Sequence, residues 1–255
     1  MRHRWGLAVP ALALGFLASS VAFAAGMTIP AGARMPLNGG TLDAGGGSLH
    51  IDGILQLGSG VLRGLDALRI STGGSADFGS GTATVTGDWE NRGSFVAGSS
   101  RVELRDGAAA QSAILGASQF ATLSLVSAGG KRYRFESGLT QRVSGTLQIV
   151  GNGPPIQLDV TTAGSAAFLD LAAAGTQVIA NVGVSDVHAT GQHLAPTLTN
   201  QGGRGNAVGW FGGVVPAVPP VPVPALSWSA LLALIAAFVF VATRRTARPV
   251  AIRGK

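Results

Sequence analysis

Three carboxylates, Asp66, Asp77 and Asp88, recur at steps of eleven residues. Acids gathered on one face are what glycoside cleavage requires: two carboxyls a few ångströms apart, one kept protonated by a raised pKa. Each of these aspartates, however, adjoins a glycine or a turn, where a carboxylate caps free backbone N–H groups, and a structural role is expected. Asp186, His188 and His193 carry atoms that ligate metals. Two histidines five residues apart in a Gly/Ala/Thr loop match no zinc spacing, and solvated loop histidines are expected there. The run Lys131, Arg132, Tyr133, Arg134, opposed by Glu136, makes Lys131, Arg132 and Arg134 the candidate contact for an acidic polysaccharide. Alternating charge of this kind also serves simply to keep a strand edge soluble. No nucleophile elbow, phosphate loop or dinucleotide fingerprint stands between a strand and a helix, so no catalytic residue, cofactor or metal is expected and the chain is read as non-enzymatic.

The charge distribution narrows the partners. The formal charge of +6 suggests nucleic acid, but two arginines lie in the first four residues and five basic residues in the last twelve. The remaining eleven basic residues face twelve acidic ones, all between Asp43 and Asp186, so the central region is nearly neutral and nucleic acid is excluded as a partner.

What must position any site is a chain with 39 glycines and no cysteine. Without disulfides, the central region has to be held by burial and backbone pairing alone. Its apolar residues come in short period-two groups: Leu49/Ile51, Leu55/Leu57, Leu68/Ile70, Val102/Leu104, Leu123/Leu125, Leu147/Ile149 and Ile156/Leu158/Val160. Between them lie turn sequences such as Gly45-Gly46-Gly47, Gly58-Ser59-Gly60, Gly79-Ser80-Gly81 and Gly151-Asn152-Gly153-Pro154. No long helical period interrupts this pattern, which makes the body all-β.

Several pairs recur at similar distances: 19 residues from Leu49 to Leu68, 21 from Val102 to Leu123 and 24 from Leu123 to Leu147. Periods of this size suit a solenoid in which each coil buries its apolar stripe only when neighbours stack on it. A sandwich of antiparallel hairpins satisfies the same alternation; spacing and glycine density favour the parallel β-helix.

The two ends read as addresses. Arg2 and Arg4, the apolar stretch Leu7 to Phe16 and Ala22-Phe23-Ala24 have the order of a secretory signal peptide, residues 1–24. Residues 25–38 then form a lead-in, 39–212 the β-helix body and 213–224 a Pro-rich linker. The apolar run from Ala225 to Ala242 has 18 residues and no charge. At about 1.5 Å rise per residue it crosses most of a hydrocarbon core of roughly 30 Å, so 225–243 is read as a transmembrane helix. Arg244 and Arg245 open a basic tail, 244–255, which favours the cytoplasmic side and leaves everything before the helix outside the membrane.

Two resemblances add to this reading. Gly87-Asp88-Trp89-Glu90-Asn91-Arg92-Gly93-Ser94-Phe95 with Ser99 to Leu104 resembles the "G-x-W-x-N-x-G-x-F … S-x-V-x-F" repeat of bacterial right-handed β-helix surface proteins of adhesin-like type. Phe120 to Leu125, Gly145 to Ile149, and Ser185-Asp186 with Gly205 to Phe211 resemble the segments that follow in those families. The resemblance implies a right-handed parallel β-helix on the cell surface or in the extracellular matrix. Val223, Pro224, Ala225, Leu226, Ser227 and Trp228, followed by the membrane run and Arg244-Arg245, resemble the IPTL and PEP classes of C-terminal sorting signal of Gram-negative bacteria. That resemblance implies an exosortase-type processing enzyme as partner and makes these residues a recognition sequence. The departures are Val223, Ala225 and one missing residue before Trp228.

Trp89 and Phe95 suit stacking in the core, and Trp210-Phe211 suits covering the last coil. The expectation is an exported, non-enzymatic β-helical protein that presents a face to extracellular polysaccharide or another surface. A polysaccharide-degrading enzyme on the same scaffold and a permanently anchored envelope protein are the competing readings.

Overall fold

The computed structural model describes residues 26–212. The signal-peptide, linker, transmembrane-helix, basic-tail and sorting-motif assignments fall outside the described residues. No helix occurs among the described residues; twenty-one short strands wind into stacked coils. The first four coils have three strands each. They are β1 (Met27–Ile29), β2 (Arg34–Pro36), β3 (Thr41–Asp43); β4 (Leu49–Ile51), β5 (Ile54–Gln56), β6 (Val61–Leu65); β7 (Leu68–Ile70), β8 (Ser75–Asp77), β9 (Thr82–Val85); and β10 (Trp89–Asn91), β11 (Ser94–Val96), β12 (Arg101–Leu104). In the next two coils the second and third strands fuse: β13 (Gln111–Gly116), β14 (Ser118–Ser127); β15 (Arg132–Phe135), β16 (Thr140–Gly151). The last two comprise β17 (Ile156–Val160), β18 (Ala167–Leu171), β19 (Thr176–Ala180); and β20 (Val182–Val184), β21 (Val187–Ala189).

Every ladder is parallel. The first sheet runs β1-β4-β7-β10-β13-β15-β17-β20, one strand from each of eight turns. The second runs β2-β5-β8-β11 and stops; the third runs β3-β6-β9-β12-β14-β16-β18-β21, with β19 beside β16. This is a parallel β-solenoid, and the antiparallel sandwich is excluded. The first coil begins at Met27, so residues read as a lead-in already carry β1 and β2. Met27 and Ile29 in β1 form the same apolar i, i+2 pair as Leu49/Ile51, but one isolated pair has no repeat before it to set a period, and β2 contains Pro36, which suits an edge.

The sequence pairs are stacked neighbours. Leu49 pairs with Leu68 and Ile51 with Ile70, Val102 with Leu123, and Leu123 with Leu147. Each of these side chains is buried, which contributes about 1.5–3 kcal/mol apiece before entropy is counted. The coil turns through one corner on a column of left-handed residues, Asn38, Gly58, Gly79 and Gly98, with φ of 48°, 62°, 50° and 57°. Gly98 is required twice over, because a Cβ there would lie 2.2 Å from the Gly79 carbonyl oxygen of the coil before it.

Trp89 is fully buried among Phe78, Phe95 and Phe120, and its Nε1 donates to Ser118 Oγ at 3.0 Å. Tyr133 is also buried and donates to the Leu104 carbonyl at 3.0 Å; burial pushes its phenol well above the ordinary value. At the far end Leu194 bridges Trp210, and both join the core. Trp210 is 5% exposed, and the half-buried Phe211 packs beside it with ring centroids 5.8 Å apart at 38°, so the pair lies over the last described turn.

Candidate functional site

The three aspartates do not converge. Asp77 lies in β8 on the second sheet, where Oδ1 accepts a hydrogen bond from Gly79 N at 3.0 Å. Asp66 and Asp88 sit on consecutive coils at the corner that leads into the first sheet, and Asp88 Oδ1 accepts from Ala113 N at 2.8 Å. Both hydrogen-bonded carboxylates thus tie down backbone amides, as their turn context suggests.

That corner also holds Lys131, and here the sequence reading is corrected. Lys131 is 3% exposed and its Nζ donates to the Thr86 carbonyl, so it is not part of a contact surface. Lys131 stands just before β15 with its side chain turned into the corner, while the next residue, Arg132, is exposed. Burial pushes the Lys131 ammonium below its ordinary pKa against the pull of Asp106, Asp66 and Asp88. Burial would raise Asp106, but hydrogen bonds from Ser127, Ala128 and Gly129 and the Lys131 charge hold it below the usual carboxylate range. A cavity of about 270 Å³ lies beside Asp106, Gly107 to Ala110, Gly129 and Lys131. A general acid for glycoside cleavage needs a raised carboxyl; Asp106 is displaced the opposite way.

Arg132 and Arg134 are on the outer face of the first sheet, in β15. Arg132 Nη1 pairs with Asp159 Oδ2 at 3.1 Å, and Arg134 Nη2 donates to the Thr161 carbonyl at 2.7 Å. The same face carries a row that the one-dimensional reading did not assemble: His50, Arg69 and Glu90 are register partners on β4, β7 and β10. Arg92 links Glu90 at 3.2 Å to Glu136 at 2.9 Å, spanning two coils, and the guanidinium pKa is raised by hydrogen bonds first to Glu136 and then to Glu90. Glu136, whose burial would raise it, is held low by Gly116 N and Arg92. A shallow cleft of about 330 Å³ opens between His50, Arg69, Ser71, Thr72, Glu90 and Arg92. The signal for this row was available: the offsets 19 and 21 that carry Leu49 to Leu68 to Trp89 carry His50 to Arg69 to Glu90. Its charges are mutually neutralised, which suits a solvated, rigid face more than capture of a strongly charged ligand.

Asp186, His188 and His193 are likewise separate. Asp186 sits at φ 58°, accepting from Asn206 Nδ2 at 2.8 Å and Gly164 N at 3.1 Å. These bonds, led by Asn206, hold its carboxyl low. His188 lies edge-on to Phe168 at 5.9 Å, and His193 Nε2 is 3.0 Å from the Phe211 carbonyl. Among the described residues no group of three or more His, Asp or Glu could hold a metal ion. The sorting-motif residues Val223 to Trp228, with Arg244 and Arg245, lie outside the described residues. Compared with known proteins, the chain matches no family model, no curated protein and no solved structure.

Proposed function

We propose that this chain is an exported, non-enzymatic surface protein whose solenoid acts by shape. In this reading residues 1–24 direct export, and the segment from Val223 to Arg245 is recognised by an exosortase-type enzyme. The body is released to the cell surface or matrix, where it contacts polysaccharide or a neighbouring surface. The winding is right-handed, the hand that crossovers between parallel strands take.

The observation that supports this reading best is how the ionisable groups are used. Asp77, Asp88 and Asp106 hold turn and strand amides, and on the outer face Arg92 is paired with Glu90 and Glu136 and Arg132 with Asp159. They stiffen a stack of coils and leave a long exterior on which many of the charges are paired.

The mature protein, isolated from the envelope and medium, tests this by intact mass. The expected mass lacks residues 1–24 and everything beyond the Pro224 to Trp228 region. A mature chain that retains Arg244 and Arg245 would overturn the processing step in favour of a permanent anchor. Release of new reducing ends from a glycan, abolished by Asp88→Asn, would overturn the non-enzymatic reading.

A further inference from the structure

The second sheet is broken at one place. β11 ends the β2-β5-β8-β11 ladder, and the first half of β14, one coil further on, is bonded to β16 instead. Ser94 N donates back to Gly74 O at 3.0 Å, and Val96 O accepts from Phe78 N at 2.9 Å. In a parallel ladder alternate residues turn their peptide groups to opposite neighbours, so the N–H and C=O of Phe95 are directed across the break. Towards the core the gap is sealed, with the Phe95 and Phe120 rings 5.7 Å apart. Towards the surface it opens as a groove of about 280 Å³ lined by Phe95, Val96, Ala97, Gly98, Gln119 and Ser144. Through Gln119 and Ser144 the groove continues into a hollow of about 110 Å³ beside Arg142 and Asp170.

We infer that this groove is a binding site for a neutral oligosaccharide chain lying along the solenoid axis. The inference rests on the proposed role in polysaccharide contact and deepens it. Gln119, Arg142 and Asp170 are register neighbours, so their side chains rise at inter-strand steps of roughly 4.8 Å along the axis. Arg142 is paired with Asp170 at 3.4 Å, which leaves the wall polar without a free charge. Val96, 50% exposed, supplies an apolar patch. A sugar hydroxyl both donates and accepts, matching the adjacent N–H and C=O of Phe95 and the Gln119 amide, while its C–H face covers Val96. An added peptide strand does not fit. It needs its two neighbours about 9.6 Å apart, and Cα atoms of β11 and β14 lie within 8 Å of one another.

The test uses the mature protein with two immobilised probes, a linear neutral β-glucan and polygalacturonate, together with the variants Gln119→Ala and Arg132→Ala. The groove predicts that the glucan binds, that Gln119→Ala weakens it about tenfold while Arg132→Ala leaves it unchanged, and that bound glucan protects the Phe95 amide from hydrogen exchange. Glucan binding indifferent to Gln119→Ala overturns the groove and leaves the surface-contact reading standing. Binding of polygalacturonate alone, lost in Arg132→Ala, moves recognition to the arginine face and also overturns it. If neither glycan binds, or an extended peptide competes for the Phe95 protection, the oligosaccharide fails as occupant; in the first case polysaccharide contact fails with it.

Discussion

Trp89→Ala is expected to destabilise the solenoid by about 3–5 kcal/mol, the range for deleting a fully buried large aromatic side chain. The indole is 0% exposed and packs with ring centroids at 5.0 Å from Phe95, 5.3 Å from Phe120 and 6.1 Å from Phe78. Those rings belong to the coils on either side as well as its own, so the cavity loosens two interfaces at once. Its loss also leaves Ser118 Oγ without the Nε1 donor. In a stacked array each coil is stabilised by its neighbours, and a weak central interface divides the array into two shorter ones. Urea unfolding followed by far-UV circular dichroism measures the effect. A lower midpoint with a broadened or two-step transition is expected, and a midpoint within experimental error of the parent would contradict this account of the core.

Gly116→Ala is expected to cost about 3 kcal/mol or more, from left-handed backbone strain together with overpacking. Gly116 has φ 75°, and a Cβ there would lie 1.7 Å from the Asn91 carbonyl oxygen. It cannot move away freely. Its N–H donates to Glu136 Oε2 at 2.6 Å, and its carbonyl accepts from the buried Gln141. Gly129→Ala provides the control: Gly129 is exposed, and a Cβ there meets nothing closer than Asp106 Oδ2 at 3.8 Å. A change within about 0.5 kcal/mol is expected for it in the same unfolding experiment. Equal effects at the two positions would mean that the corner at Gly116 is not packed as described.

How much of this was legible in the amino-acid order depends on whether the relevant neighbours are along the chain or across it. The interior stripe was legible because a strand with one buried face alternates strictly. Leu49/Ile51, Leu68/Ile70 and Leu123/Leu125 are all buried. The distances 19, 21 and 24 are the actual register offsets between coils, since an equivalent apolar position must recur once per turn. The covering role of Trp210-Phe211 followed from the same logic, an open end exposing both edges and interior.

The surface was far less legible. Lys131 reads as one more basic residue in a polar run, and only the three-dimensional corner with Thr86, Asp66, Asp88 and Asp106 shows why its side chain is buried. The row His50, Arg69, Glu90 and the row Gln119, Arg142, Asp170 each join residues from three coils, which no local motif brings together. The break in the second sheet was hidden for a different reason. β14 and β16 are long strands that serve two sides of the coil; the bend at Ala121 carries no turn sequence, and the one in β16 is marked by the single Ser144-Gly145 step inside an otherwise strand-like run. Gly116 stands alone and not in a glycine doublet, so its left-handed conformation had no marker.

The most direct measurement of the stacked parallel coil is disulfide mapping along one row of the third sheet, made clean by the absence of native cysteine. Thr122, Thr146 and Thr176 are successive register partners, and the hydroxyls of Thr146 and Thr176 are 3.0 Å apart. Cysteine pairs at 122/146 and at 146/176 should each crosslink on mild oxidation of the folded protein, because in-register neighbours lie within the Cα separation a disulfide spans, about 4.4–6.8 Å. The 122/176 pair, two coils apart at roughly 9.6 Å, should not. Crosslinking of 122/176 with failure of both adjacent pairs would contradict the solenoid and everything built on its faces.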